Sequence, residues 1–159
     1  MLQLPDPDIY ASWRIPLPQI DEIPWDLPSE WAAALQAVTR DLPFLGDGQP
    51  LDIDDQIWAL DASGDCGMMI GMHSASGDTG FQVGRGYSVD ASAAQATVWT
   101  AGEVQDFLAG YRFRLWPFIN RVMLAPQLHD DEAVWMNSSI SKSIPIGRLD
   151  QMPLVRRGH

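Results

Sequence analysis

The sequence has a single cysteine, Cys66, among its 159 residues. One cysteine excludes an intramolecular disulfide and is typical of proteins from a reducing cytoplasm. Long apolar runs are also missing, since no stretch approaches the roughly 18 uninterrupted apolar residues of a membrane-spanning helix. The opening residues, MLQLPDPDIY, lack a basic segment and contain Pro5 and Pro7, unlike a secretory signal. We therefore expect a cytoplasmic protein, with no membrane partner.

Basic residues are scarce in the first 65 positions, where only Arg14 and Arg40 stand against 13 Asp and Glu. The rest of the chain holds eight residues of each sign, so the net charge of −11 lies entirely in the first part. A negative region repels the phosphates of nucleic acids and attracts cations. We therefore expect a basic protein partner and no nucleic acid, although solubility alone is an alternative reason for the acidity.

Apolar residues make up 46% of the chain and include seven Trp, which is enough to build a buried core. We expect Trp31, Trp58 and Trp135 to lie in that core. The length predicts a single domain over 1–159, as a monomer or a small homo-oligomer.

Proline is concentrated at the start of the chain, with six of the 12 prolines in residues 1–28. Because proline fixes φ and lacks an N–H donor, this segment is predicted to be an extended arm rather than a helix or a central strand. Its apolar residues favour packing on the domain, and docking on a neighbouring molecule is the alternative. The basic end, 148–159, is predicted to be a mobile tail.

Two segments have the apolar spacing of amphipathic helices. The first is predicted over 29–42, with Ser29 as its N-cap and apolar residues at intervals of four, three and four. The second is predicted over 101–114, because Thr100 and Glu103 have the spacing of a capping box.

The hexapeptides ASGDCG at 62–67 and ASGDTG at 75–80 are interpreted as two turns of one meander, because strand-like residues precede and follow each of them. This gives a three-stranded meander over 56–88, and a hairpin follows over 119–138. The fold class is therefore predicted as α+β, with an antiparallel sheet of about five strands and two helices against one face.

No combination of residues in the sequence assembles a nucleophile, a base and an orienting group. The string from Asp61 to Asp65 has the alternating oxygens of a calcium loop, but Cys66 and Met72 occupy the positions where that loop needs Gly and an acid. The acidic stretch LHDDE at 128–132 is better explained as a solvated turn. We expect no catalytic residues, no cofactor and no metal.

The charge and the tryptophans lead to a non-catalytic module that presents an acidic surface to a basic protein. An immunity protein that neutralises a toxin, or a secretion chaperone, would have this size and charge. The predicted contact residues are Asp52, Asp54, Asp55, Asp61 and Asp65, with Trp13 or Trp25 as anchors.

Two other functions remain open at this stage. One is a small enzyme or ligand-binding domain that uses a glycine-lined sheet face. Its predicted residues are His73, Arg85, Tyr87, Gly71, Gly84 and Gly86. The other is an accessory protein of a larger assembly, for example a viral one, which would dock through the arm at 1–28.

Overall fold

The computed structural model describes residues 8–44, 46, 53–76, 80–82, 86–111, 114–119, 121–137 and 143–151. It confirms the α+β class, with two helices and three antiparallel sheets. In chain order the elements are β1 Ile9–Pro16, α1 Ser29–Asp41, β2 Gln56–Ser63, β3 Gly67–Ser74, β4 Gly80–Gln82, α2 Ala93–Tyr111, β5 Phe118–Ile119, β6 Val122–Met123, β7 Ala125–His129, β8 Glu132–Met136 and β9 Ile144–Pro145. Short 3₁₀ turns lie at Leu17–Gln19, Ile53–Asp55 and Leu149–Gln151.

The first sheet has four strands in the order β1-β2-β3-β4. Strands β2 to β4 form the expected meander, and the first hexapeptide is the turn between β2 and β3. Residues 77–79 of the second hexapeptide lie outside the described part of the chain.

Within the predicted arm over 1–28, residues 9–16 are extended and form an edge strand of this sheet. β1 pairs antiparallel with β2, and Trp13 lies opposite Leu60. Trp13 and Ile15 on alternate positions are buried. Pro16 is tolerated because it ends an edge strand.

The prediction of one sheet of about five strands is wrong. Residues 118–123 fold into a separate two-stranded hairpin, β5-β6, and β7, β8 and β9 form a third sheet. The first strand of the hairpin predicted over 119–138 is interrupted where Arg121 adopts φ 67° and the chain reverses. The prediction of a turn at the acidic stretch LHDDE, between β7 and β8, is confirmed. Asp130 and Asp131 both have positive φ, as a type I′ hairpin turn requires.

Helix α1 confirms the apolar spacing of its sequence, since its predicted apolar face is buried. The face consists of Trp31, Leu35, Val38 and Leu42. The N-cap position is Pro28, however, and the predicted cap Ser29 is the first helical residue. Its hydroxyl donates a hydrogen bond to the Glu30 carboxylate.

Helix α2 begins earlier than predicted, at Ala93 instead of 101, and ends at Tyr111. The capping box that starts it consists of Ser92 and Gln95. The Ser92 N–H donates to Gln95 Oε1 at 3.0 Å, and the Gln95 N–H donates to Ser92 Oγ at 3.1 Å. Thr100 and Glu103 have the same spacing but lie within the helix.

The main core lies between the four-stranded sheet and the two helices, which also pack on each other. Trp58 Nε1 donates to Thr39 Oγ1 at 2.8 Å, which joins β2 to α1. Phe81 stacks on Phe107 with ring centroids 4.7 Å apart, which joins β4 to α2. Trp31, Trp58 and Trp135 are fully buried, as predicted. Within the residues that the structure describes, neither helix is long and apolar enough to cross a membrane.

Candidate functional site

The segment between β1 and α1 is built from two consecutive tight turns. The N–H of Glu22 donates to the carbonyl of Gln19 at 2.9 Å, and the N–H of Leu27 donates to the carbonyl of Pro24 at 3.1 Å. Trp25 and Asp26 are the two central residues of the second turn. Each turn closes its own backbone hydrogen bond, so the loop has a defined shape without any partner.

Side chains on both ends of this loop attach it to the domain. Ile20 and Leu27 are buried in the core. Gln36 of α1 donates from Nε2 to the carbonyl oxygen of Ile20 at 3.3 Å. Trp13 of β1 donates from Nε1 to Oδ1 of Asp26 at 3.2 Å. The loop is therefore held against both α1 and β1.

Trp25 is the most exposed large apolar side chain among the described residues, at 95% of its full accessible area. No basic residue occurs in 20–30. We call this segment the acidic loop, because it holds four exposed carboxylates within five positions of Trp25 in the sequence. These are Asp21, Glu22, Asp26 and Glu30.

Two of the predicted contact residues extend this acidic region. Asp54 and Asp55 are exposed and belong to the 3₁₀ turn Ile53–Asp55. That turn packs beside Leu17–Gln19, which leads directly into the acidic loop. The fold therefore brings together two acidic segments that are more than 20 positions apart in the sequence.

The other predicted contact residues lie elsewhere. Asp65 is exposed in the turn after β2, whereas Asp54 and Asp55 lie before β2. The eight residues of this strand separate Asp65 from the other two by about 26 Å. Asp52 lies outside the described residues. Trp13 is buried, with 8% of its surface exposed, so it does not face solvent. Its indole instead stabilises the acidic loop through the hydrogen bond to Asp26.

Asp61 is only 3% exposed and is engaged within the sheet. Its Oδ1 accepts a hydrogen bond from the Ser12 hydroxyl at 2.7 Å and lies 3.3 Å from Nη1 of Arg14. The carboxylate is therefore neutralised by a residue of the same protein, which removes it from the surface that a partner would meet.

The residues of the glycine-lined face that the structure describes do not converge. His73 and Gly71 lie on the face of β3 that points away from the helices, because Met72 between them belongs to the core. Tyr87 pairs with Met68 and stacks on Trp99 of α2, with ring centroids 5.7 Å apart, which puts it on the helix side.

The remaining members of that set have other surroundings. A Cβ at Gly86 would collide with the carbonyl oxygens of Cys66 and Met68, so this glycine permits close packing of backbone on backbone. Gly84 and Arg85 lie outside the described residues. His73 is half-buried, and its Nδ1 hydrogen-bonds to the Ser74 carbonyl at 2.9 Å.

A shallow groove of about 570 Å³ separates the start of α2 from the β7-β8 hairpin. It is lined by Ser92, Ala93, Ala94, Gln95, Leu128 and Asp131. The capping hydrogen bonds of Ser92 and Gln95 occupy donors of the helix start, and Asp131 at the rim opposes an anion. In the part of the chain that the structure describes, no group of three or more His, Cys, Asp and Glu is placed to hold a metal ion.

A buried carboxylate that the sequence did not reveal lies at the end of α1. Asp41 has no exposed surface. Its Oδ2 accepts hydrogen bonds from Trp135 Nε1 at 2.8 Å and from the Gly147 N–H at 2.6 Å, and its Oδ1 accepts one from the Leu149 N–H at 3.0 Å. Burial raises the pKa of the carboxyl, these three hydrogen bonds lower it, and Asp150 raises it further; the net direction is upward.

Asp41 has a structural role, because three N–H groups of the protein itself, from Trp135, Gly147 and Leu149, donate to its carboxylate. It fixes the segment that follows β9, where Leu149 is fully buried. The predicted mobile tail at 148–159 is therefore packed on the domain as far as Gln151, and 152–159 lies outside the described residues. A second raised pKa, that of Glu103 on α2, arises from partial burial and then from the nearby Asp106.

Comparison with known proteins adds no functional information, since no family model, no curated protein and no solved structure matches the chain. The acidic loop is therefore the strongest candidate site on structural grounds. The sequence predicted Trp25 as an anchor and the acidic contacts at 52–65, whereas the exposed carboxylates closest to Trp25 along the chain are Asp21, Glu22, Asp26 and Glu30.

Proposed function

We propose that this protein is a non-catalytic binding module that docks a basic protein on its acidic loop. The observation that carries the proposal is the position of Trp25, an almost fully exposed indole in a turn that the domain holds in place. Exposure of a large apolar side chain contributes nothing to the core, and tryptophan is enriched among the residues that dominate binding energy.

The surroundings of Trp25 favour a cationic partner. The four carboxylates of the acidic loop, together with Asp54 and Asp55 on the turn that packs beside Leu17–Gln19, produce a negative potential that accelerates the approach of a positive surface. At contact, an Arg or Lys of the partner can lie over the indole and also pair with Asp26 or Glu22. Because the two turns are already formed, little conformational entropy is lost when the partner binds.

Two kinds of protein would use such a surface. An immunity protein covers the cationic active site of a toxin that acts on nucleic acid, and a secretion chaperone shields a basic segment of the protein to be exported. Both act in the cytoplasm and neither needs catalytic residues. The chemistry on the acidic loop is the same for the two, so the identity of the captured partner distinguishes them.

The test uses the purified protein as bait in a lysate of the native organism, at about 50 mM and about 300 mM salt, a range over which charge-driven binding weakens strongly. The bait is compared with Trp25→Ala and with a loop variant in which Asp21, Glu22, Asp26 and Glu30 become Asn or Gln. The matched control neutralises the same number of exposed carboxylates elsewhere, at Asp90, Asp130, Asp131 and Glu132.

The proposal predicts one stoichiometric basic protein that the control variant retains. The loop variant and Trp25→Ala should lose it, and higher salt should weaken it. A partner that all variants hold equally, or the absence of any basic partner at both salt concentrations, would contradict the proposal.

A further inference from the structure

The geometry points to strand addition as the mode of docking: an extended cationic segment of the partner pairs with the free edge of β1, beside the acidic loop. This inference rests on the proposed function and adds to it the structural form of the ligand. Strand addition to an exposed sheet edge is a recurring mode of peptide recognition, in which backbone hydrogen bonds supply affinity and side chains supply specificity.

β1 lies at the edge of the four-stranded sheet, and β2 is the only strand that pairs with it among the described residues. The direction of its backbone groups follows from Arg14. One nitrogen, Nη1, lies 2.8 Å from the carbonyl oxygen of Trp13 and 3.4 Å from that of Leu60, so both oxygens point into the seam between the strands.

Backbone groups along an antiparallel strand alternate in direction. Since Trp13 directs its groups toward β2, Ser12 and Arg14 direct theirs away from β2. The pairing of β3 agrees with this. Met68 of β3 exchanges both of its backbone hydrogen bonds with Tyr87, on the side away from β2. Ala62, which lies opposite Met68 on β2, therefore directs its backbone groups toward Ala11 of β1. The free edge thus offers two N–H donors and two carbonyl acceptors.

The composition of β1 fits an edge that pairs selectively. The backbone groups of Pro16 point the same way as those of Ser12 and Arg14, away from β2. The N–H that proline lacks would therefore have pointed to the free edge, so its absence costs the sheet no hydrogen bond. A register shift between Ile9 and Ala11 interrupts the strand at Tyr10. A charge, a proline and a bulge are the features that limit indiscriminate edge pairing.

Charge around the edge identifies the occupant. The hydrogen bond between Trp13 and Asp26 places the acidic loop next to β1 on the helix side of the sheet. On the opposite side, the Arg14 guanidinium is already paired with Asp61. The side chains on one face of an added strand therefore lie on the same side of the sheet as the acidic loop, where Lys or Arg fits best. Exposed Ile9 and Tyr10 extend the contact at the start of β1.

A second copy of this chain is the competing occupant, through antiparallel pairing of two β1 edges. That arrangement would bring two acidic loops toward one another, and like charges at an interface oppose association. It is tested by sedimentation: a wild-type dimer that dissociates in Ser12→Pro would overturn the inference.

The direct test uses a synthetic peptide of about eight residues with alternating Lys and Val, the length of an ordinary strand. In one further peptide the backbone nitrogen of every Val carries an N-methyl group. In the other, the backbone nitrogen of every Lys carries one. Charge and side chains are the same in all three. In a bound strand only one alternate set of N–H groups faces β1, so one methylated peptide is expected to bind about tenfold more weakly and the other to bind like the parent.

Two readouts on the protein complete the experiment. Amide hydrogen exchange should slow at Ser12 and Arg14 when the parent peptide binds, and the amide of Trp13, already paired with β2, serves as the internal reference. Ser12→Pro removes an outward N–H and should weaken the peptide by a similar factor. Ser12→Ala is its control, because both variants lose the hydrogen bond to Asp61 and only the first loses the N–H.

The outcomes separate this inference from the proposed function. Equal binding of the three peptides, with unchanged exchange at Ser12 and Arg14, would overturn strand addition and leave docking on the acidic loop intact. If no peptide binds but a basic protein is captured through the acidic loop, strand addition is also overturned. If the capture fails as well, both proposals fall.

Discussion

Nε1 of Trp13 donates a hydrogen bond to Oδ1 of Asp26, 3.2 Å away. This contact joins a buried indole on β1 to the carboxylate that follows the exposed indole of Trp25. One tryptophan thus positions the turn that presents the other. The acidic loop is tied to the sheet edge by a specific side-chain contact, in addition to the burial of Ile20 and Leu27.

Breaking this contact should loosen the acidic loop. We expect Asp26→Ala to lower the free energy of unfolding by about 1 kcal/mol, since the Trp13 indole N–H then loses its acceptor. Trp13→Phe also removes core contacts, so the hydrogen bond is isolated by a double-mutant cycle in urea unfolding. A coupling energy of zero would show that the two residues act independently.

Trp25→Ala should separate stability from binding. The side chain is 95% exposed, so the free energy of unfolding should change by no more than about 0.5 kcal/mol. Affinity for the captured basic partner, measured by calorimetry, should fall by about 30-fold, the effect of losing a central tryptophan. Trp25→Phe keeps an aromatic face and should retain part of that affinity. Unchanged affinity in Trp25→Ala would exclude this residue from the interface.

Asp41→Ala should be among the most destabilising single changes. It leaves the Trp135 indole N–H and the N–H groups of Gly147 and Leu149 without their acceptor inside the protein. Each such loss costs about 1 kcal/mol or more, so the free energy of unfolding should fall by about 3 kcal/mol in urea denaturation. Amide exchange at Gly147 and Leu149 should accelerate more than exchange in β2, and uniform acceleration would argue against a local clamp.

The same carboxyl should leave a pH signature. Burial raises the pKa of Asp41 in the folded protein, so the native state binds its proton more tightly than the unfolded chain does. The resulting stabilisation is complete below the unfolded pKa of about 3.9 and is lost as pH rises through the raised folded pKa. Relative to Asp41→Asn, which does not titrate, the wild type should therefore lose stability across that interval. An increase with pH would mean that the hydrogen bonds outweigh burial.

The start of α2 can be tested with two substitutions of opposite effect. Ser92→Ala removes the cap and should cost about 1 kcal/mol. Thr100→Val should be neutral or stabilising, because the Thr100 hydroxyl is buried and has no hydrogen-bond partner among the described residues. Thermal unfolding of both variants decides the point. A larger loss from Thr100→Val than from Ser92→Ala would place the functional cap at Thr100.

Local signals in the sequence were sufficient for several elements. The spacing of Trp31, Leu35 and Val38 predicted α1 within one residue of its observed end, because these side chains recur on one face of a helix. The Asp130-Asp131 turn and the β2-β3 hairpin were likewise predicted, since turn residues and alternation act over only a few positions.

Errors arose where two local signals competed. The start of α2 was predicted from Thr100 and Glu103, whereas Ser92 and Gln95, which have the same spacing eight residues earlier, form the capping box in the structure. In the candidate site, the sequence identified Trp25 as an anchor but treated Trp13 as equivalent to it. Exposure separates the two tryptophans, and exposure depends on neighbours that are distant in the sequence.

Charge, apolar spacing and turn chemistry were determined by the sequence alone, because each depends on the residues themselves or on their nearest neighbours. Three features were decided only by the tertiary structure: the pairing of Asp61 with Arg14, the burial of Asp41 beneath the segment after β9, and the packing of the turn Ile53–Asp55 beside Leu17–Gln19. Each joins segments separated by tens of positions. Such contacts form only when the core fixes the register of β1 on β2 and the packing of α1, which no local pattern specifies.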